Sequence, residues 1–287
     1  MKRSTAVYVV VILVLLAVTV LYTNKIKESY KNTKKKEKAF CIISKSPQTI
    51  WIEFILTFTK YYDVYMFVDD NSIDLTDIKK EYPSIQFIKY DEKICKERGF
   101  SNSSTATIKK EVIAWDKALY HFCRKEIQYE DVWFCEDDVF IQDVKNIIAI
   151  DKKYEEADLI CTKLKIYRNG EQIRIQTHND NDQTEMWPWW GQFPEYFDFP
   201  WAGSLIVIVR ISRALLQEID KFVEEHDKLI FIEGLFPTLA IQNNMPIAQP
   251  EMLKLLSSDK RHRDESLYSD YLIHPVKDIY QHAALRT

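Results

Sequence analysis

The 287-residue sequence lacks a surplus of positive charge; its formal net charge is −4. A nucleic-acid binder needs a basic footprint to neutralise phosphates, so that class has no support. Internal repeats are also absent, so nothing points to a stacked-repeat architecture. Cysteine is scarce, and the odd count of five leaves at least one thiol free. Cys41, Cys135 and Cys161 fall in strand-like apolar runs, where Cys usually serves as a small core residue. Cys95 and Cys123, at loop or helix-end positions, are the pair left open to a bridge. What is present is an ordinary globular mixture, 46% hydrophobic and 29% charged, enough for one large domain or two small ones.

Charge, glycine and proline are all missing from AVYVVVILVLLAVTVLY, residues 6–22. At ~1.5 Å per residue this run would span about 26 Å as a helix, enough for a thin bilayer. A cleaved signal would have a shorter apolar core and small residues after it. Tyr22-Thr23-Asn24-Lys25 does not fit such a cleavage site. The reading is a tail over 1–5, a transmembrane signal anchor over 6–23, a basic stalk over 24–38 and a folded domain over 39–287. The stalk holds seven lysines against two glutamates and lacks an apolar face, which suits a solvated tether. By the positive-inside rule those lysines favour a cytosolic domain. Asn102-Ser103-Ser104 forms a glycosylation acceptor triplet.

Within the domain, short apolar runs predict strands at 39–43, 63–68, 85–90, 132–135, 157–162 and 205–209. Ser46-Pro47 predicts a helix start, a hydroxyl cap followed by proline at the first helical position. Further helices are expected over 105–123 and 211–226, the latter with Ile211, Ala214, Leu215, Ile219, Phe222 and Val223 on one face. Asn169-Gly170 predicts a tight turn in a hairpin over 164–175. Strands alternating with helices indicate an α/β fold with a mostly parallel sheet, and such sheets bind ligands at the carboxyl ends of their strands.

Two carboxylate clusters fall at those ends. Asp69-Asp70 follows the second strand, and Glu136-Asp137-Asp138 follows the fourth, inside VWFCEDDVFI. Adjacent acids repel one another, and an unpaired buried charge costs several kcal/mol. A divalent cation would offset that repulsion. Mg²⁺ or Mn²⁺ takes one or two carboxylates and completes its shell with water and substrate phosphates. If strand geometry persists, Glu136 and Asp138 point one way and Asp137 the other. A solvated acidic turn is the alternative that the triplet alone leaves open.

In this order, Phe40–Ser44, VDDNS (68–72) and CEDDVFI (135–141) resemble the GT-A-type glycosyltransferases. The resemblance runs over about 40–278 and implies a GT-A-like (Rossmann-like) catalytic domain. It implies Asp69 and Asp70 at the nucleoside, Asp137 at the nucleotide, and Glu136 and Asp138 at the metal. PWAGSLIVIVR (200–210) is similar to a segment lining the donor sugar, where Gly203 would allow close backbone approach. FIEGLFP (231–237) sits where members carry an acidic catalytic residue, which implies Glu233 as a base; the usual acidic pair is here Glu233-Gly234. HPVKD (274–278) implies His274 as a third metal ligand and Lys277 at a donor phosphate. Trp187, Trp189 and Trp190 lie in EMWPWWGQFPEYFDFPW, a stretch that suits an acceptor wall because sugar C–H faces stack on indole rings; a packed lid is the plainer use of such aromatics.

The expectation is therefore a Mn²⁺- or Mg²⁺-dependent glycosyltransferase. It would use a UDP- or GDP-linked sugar and a glycan, glycoprotein or glycolipid acceptor, anchored as a single-pass type II protein facing the Golgi or ER lumen. A nucleotidyltransferase and a membrane-tethered, catalytically degenerate carbohydrate-binding protein are the alternatives.

Overall fold

AFCIIS and DVYMFV carry large apolar groups at odd and even positions alike, so both faces of these strands must be covered. In a computed structural model of the chain, the described residues are 36–104, 110–168, 175–176, 184–185, 188–256 and 267–286. The chain divides into two units, Met1–Lys36 and Glu37–Thr287. The expected span at 6–23 lies outside the described residues. Among the described residues, no helix is long and apolar enough to cross a membrane.

The first half holds β1 (Lys38–Ser44), α1 (Thr49–Leu56), β2 (Asp63–Val68), α2 (Thr76–Glu81), β3 (Ile85–Ile88), α3 (Glu92–Glu97), α4 (Ala114–Arg124), β4 (Asp131–Glu136) and α5 (Val144–Lys153). There follow β5 (Leu159–Ile160), β6 (Lys165–Tyr167), β7 (Ile175–Gln176), β8 (Thr184–Glu185), β9 (Trp201–Gly203), β10 (Ile208–Ser212), α6 (Arg213–His226), α7 (Ile232–Gln242), β11 (Ile247–Ala248) and α8 (Ile279–Ala284). The main sheet has the order β11-β5-β10-β4-β1-β2-β3. Only β10 runs against its neighbours, β4 and β5; the other pairings are parallel.

Alternate strand residues feed two cores. Cys41, Ile43, Tyr65, Phe67, Val132 and Phe134 face α4, α6 and α7. Phe40, Ile42, Val64, Met66, Trp133 and Cys135 face α1 and α5. The parallel registers Ile43↔Glu136 and Ser44↔Val68 bring the carboxyl ends of β1, β2 and β4 to one edge. Both acidic clusters therefore emerge there.

Several local expectations need correction. The first helix starts at Thr49 with Gln48 as an uncapped N-cap; Ser46 instead gives its carbonyl to the Ser44 hydroxyl at 2.7 Å. The expected helix over 105–123 starts at Ala114. Asp116 sets that boundary by accepting the backbone N–H of Ile113 at 2.8 Å and of Ser103 at 3.0 Å. The hairpin over 164–175 does not form as expected: β6 pairs with β9, and β7 with β8, while Asn169 and Gly170 lie outside the described residues. The strand placed at 205–209 runs over Ile208–Ser212, in register with β4. Leu216, not Ala214, completes the buried face of α6. Cys95 and Cys123 are buried and free, as are Cys41, Cys135 and Cys161.

Candidate functional site

After β4, the chain makes a two-residue turn and pairs again. Phe140 N–H donates to Ile273 O at 2.8 Å, Ile273 N–H returns to Phe140 O at 3.2 Å, and Val276 N–H donates to Asp138 O at 2.8 Å. This pairing brings residues 273–277 against the acidic triplet. One ligand atom each from Glu136, Asp138 and His274 lie within 4.8 Å of one another. His274 Nε2 stands 3.4 Å from Asp138 Oδ1, a buried oxygen that receives no well-aligned hydrogen bond. The Lys277 ammonium closes on the other oxygen, Oδ2. Glu136 Oε1 accepts the indole N–H of Trp115 at 2.8 Å, which leaves Oε2 for another partner. Two carboxylates and an imidazole, with one buried acceptor lacking a well-aligned donor, fit a divalent cation that takes oxygen and nitrogen donors.

The electrostatics carry the strain expected of clustered acids. Burial pushes Glu136 up to about 7; the Trp115 hydrogen bond opposes this, and the Asp138 charge adds to it. Burial also raises Asp138, but His274 and Lys277 outweigh it and leave its carboxyl below the usual range. Asp137 turns away from both. Its Oδ2 lies 2.5 Å from Ser44 Oγ, and its carbonyl accepts Trp51 Nε1 at 2.7 Å. The Ser44 hydroxyl has one proton and two close oxygens, Ser46 O and Asp137 Oδ2. Burial raises the Asp137 pKa, and the hydrogen bond from the Ser44 hydroxyl works against it.

Ser44 also ties in the first cluster, since its carbonyl accepts Asp69 N–H at 2.9 Å. The Asp69 carboxylate is flanked by Lys110 at 2.9 Å and Lys117 at 3.2 Å. Lys117 is fully buried and also donates to Asp69 O at 2.8 Å and Asn71 Oδ1 at 3.3 Å. Asp70 accepts from the Ser72 hydroxyl at 2.6 Å and the Ser72 N–H at 2.9 Å, and these bonds hold its pKa below the ordinary value.

Gly203 ends β9 opposite Lys165, and the next residues hang on the first turn of α7. Ser204 N–H donates to Glu233 O at 2.9 Å, and Ile206 N–H points at Glu233 Oε1 from 3.4 Å. Burial pushes Glu233 up to about 7; the Ile206 N–H works against it and the negative charge of Glu136 with it. The two glutamates therefore sense each other. Gly234 has a packing reason: a Cβ there would lie 2.3 Å from the ring of Phe193. Trp187 lies outside the described residues, as do the side chains of Trp189 and Trp190 in the 3₁₀ turn Pro188–Glu195.

Sequence reading missed Trp115, Ser44, Lys110 and Lys117. Each is an unremarkable helix, strand or loop residue until the fold sets it beside an acid far along the chain.

No family model and no curated relative matches the chain. Among solved structures it is similar to the galactosyltransferase LgtC in complex with donor and acceptor sugar analogues, with TM-score 0.47 and 10% identity over 87% of this chain and 95% of that one. It is similar to mouse xyloside xylosyltransferase 1 in its apo form, with TM-score 0.39 and 8% identity over 82% of this chain and 93% of that one. It is also similar to a 4-diphosphocytidyl-2C-methyl-D-erythritol synthase from Anaerococcus prevotii, with TM-score 0.43 and 12% identity over 86% of this chain and 96% of that one. Likeness at this level carries no residue role and no reaction over to this chain.

Proposed function

We propose that this protein is a metal-dependent glycosyltransferase that moves a sugar from a nucleotide-sugar donor to an acceptor hydroxyl. The observation that carries the reading is the convergence of Glu136, Asp138 and His274 at the carboxyl edge of a parallel sheet. Mn²⁺ or Mg²⁺ bound there would supply positive charge to hold a diphosphate and favour its departure. Asp69 and Asp70, on the same edge, would face the nucleoside of a UDP- or GDP-linked sugar. Lys277, now on Asp138, is a cation within reach of a donor phosphate. Glu233 would take the acceptor proton, since a carboxyl with a pKa of about 7 suits a general base near neutrality. The acceptor oxygen bonds to the anomeric carbon, the bond from that carbon to the phosphate oxygen breaks, and nucleoside diphosphate leaves. In the same reading, residues 6–23 anchor the chain with its catalytic domain facing the secretory lumen.

The test is a panel of nucleotide sugars with Mn²⁺, read by thermal shift and by product release. A true donor at a hundredfold excess over its Kd stabilises by ~2.7 kcal/mol. We expect nucleoside diphosphate to be released, and both chelation and Asp138→Asn to abolish turnover while the fold persists. Release of pyrophosphate would assign a nucleotidyltransferase instead. Turnover that survives exhaustive chelation would remove the metal from the reading.

A further inference from the structure

The segment that carries His274 and Lys277 is tied down some ten residues further on. There α8 packs against α1, and Arg286 enters a cage of aromatic rings. Its guanidinium carbon lies 3.5 Å from the ring centre of Phe54, 5.2 Å from that of Trp51 and 5.3 Å from that of Phe140. A desolvated cation over aromatic faces is held by the ring quadrupoles. Burial lowers the Arg286 pKa to about 10, so the group stays charged at neutral pH.

Two hydrogen bonds run outward from this guanidinium. Arg286 Nε donates to Ile141 O at 2.9 Å, in the stretch that continues from the acidic triplet. Arg286 Nη2 lies 3.5 Å from His282 Nδ1. His282 is fully buried, and its Nε2 is 2.8 Å from Val276 O. A carbonyl only accepts, so Nε2 carries the proton and Nδ1 is the lone pair that faces Arg286. Burial lowers the His282 pKa to about 4, which agrees with that neutral tautomer. The chain continues through Val276, whose N–H reaches Asp138 O at 2.8 Å. Trp51 closes the ring of contacts: it lies 5.1 Å from His282, centre to centre, and donates Nε1–H to the Asp137 carbonyl.

We propose that Arg286 is a positioning residue for the metal centre, stapling the 138–141 stretch to the 273–282 segment so that His274 faces Glu136 and Asp138. The proposal rests on the reading of those three residues as a metal site. Among the described residues, the Arg286 side chain contacts Ile141, His282 and the three rings, not Glu136, Asp138 or His274. It acts through His282 and the backbone of residues 276 and 141. Partners of this kind, one step removed from the ligands, typically contribute 10–100-fold to metal affinity.

The experiment is a Mn²⁺ titration of the full chain, with free ion followed by its electron paramagnetic resonance signal. The variants are His274→Ala, Arg286→Met, the double variant and Arg286→Lys. Arg286→Met keeps the aliphatic stem but loses the cation and its donors. We expect it to weaken Mn²⁺ binding about tenfold, which is ~1.4 kcal/mol. His274→Ala should weaken binding by at least as much, and the double variant should be no weaker than His274→Ala alone, because both changes remove the same ligand. Arg286→Lys should recover part of the loss. A role confined to stability would lower the melting temperature and leave the Mn²⁺ affinity unchanged, which overturns the proposal. Additive losses in the double variant overturn it too. If Arg286→Met does not fold, His282→Leu decides: it cuts the link with Arg286 in place and should weaken Mn²⁺ binding to the same extent, with unchanged affinity again the refuting result. A wild-type protein that binds no Mn²⁺, or a His274→Ala variant that binds as wild type, removes the metal reading itself and the staple with it. Wild-type and His274→Ala behaviour as expected, beside an unaffected Arg286→Met, refutes the staple alone.

Discussion

Glu233 sits on the first turn of α7 with a carboxyl that burial raises from 4.5 to about 7. Between those two values the folded protein holds a proton that the unfolded chain has released, so stability falls as pH rises through this window. The shift corresponds to at most about 3 kcal/mol. Replacing Glu233 by Gln removes the charge and keeps the shape. We expect Glu233→Gln to be more stable than wild type by ~1–3 kcal/mol at pH 8 and level with it near pH 4, by urea denaturation at both pH values. Burial pushes Glu136 up to about 7 as well, and its negative charge adds to the rise at Glu233, so both carboxyls contribute to the pH dependence of wild type. If Glu233 is the base, the same variant loses ~10²–10⁴-fold in rate with little change in donor binding. A variant that gains stability at pH 8 but loses less than about tenfold in rate would place the base elsewhere.

At the scale of elements, α7 owes its seat to the missing side chain at Gly234. The Phe193 ring, itself fully buried, fills the space where a Cβ would stand. Alanine is the better helix former by ~1 kcal/mol, but overpacking a tight contact costs ~1–3 kcal/mol. We expect Gly234→Ala to be net destabilising by about 1 kcal/mol, and Phe193→Leu in the same chain to reduce the penalty by opening that space. A stabilised Gly234→Ala would show that Phe193 moves freely, and would detach the aromatic stretch from α7. Such contacts also explain why the start of α4 was misplaced. Propensity over 105–113 does not forbid helix, but the Asp116 carboxylate takes the N–H groups of Ser103 and Ile113 and starts the helix at Ala114.

For the whole molecule, the apolar span at 6–23 and the stalk make opposite claims about topology. The stalk lysines favour a cytosolic domain, whereas Lys2 and Arg3 lie on the other flank of the apolar segment, where charges also count. The proposed reaction favours the lumen. Asn102 is exposed and, in a lumenal domain, could accept a glycan. In sealed microsomes we expect the domain to resist protease until detergent is added, with a glycosidase-sensitive mobility shift that Asn102→Gln abolishes. Degradation without detergent would place the domain in the cytosol and remove the lumenal part of the proposal.

β1, β2 and β4, and the two acidic clusters at their ends, were legible in the sequence. Continuous apolar runs must be covered on both faces, and that demand is local. Parallel pairing then places the ends together, as the register Ser44↔Val68 and Ile43↔Glu136 shows. Pairing partners across long loops were not legible: Lys165–Tyr167 bonds to Trp201–Gly203 rather than to its own hairpin, because any short strand edge offers the same N–H and C=O groups. Nor could the sequence show that Trp115 holds Glu136, that Lys110 and Lys117 brace Asp69, or that Arg286 lies over Phe54. Those pairings join residues 21 to 232 positions apart, and only the tertiary structure decides which side chain meets which, since a residue's partners depend on where the sheet and helices bring the chain back upon itself.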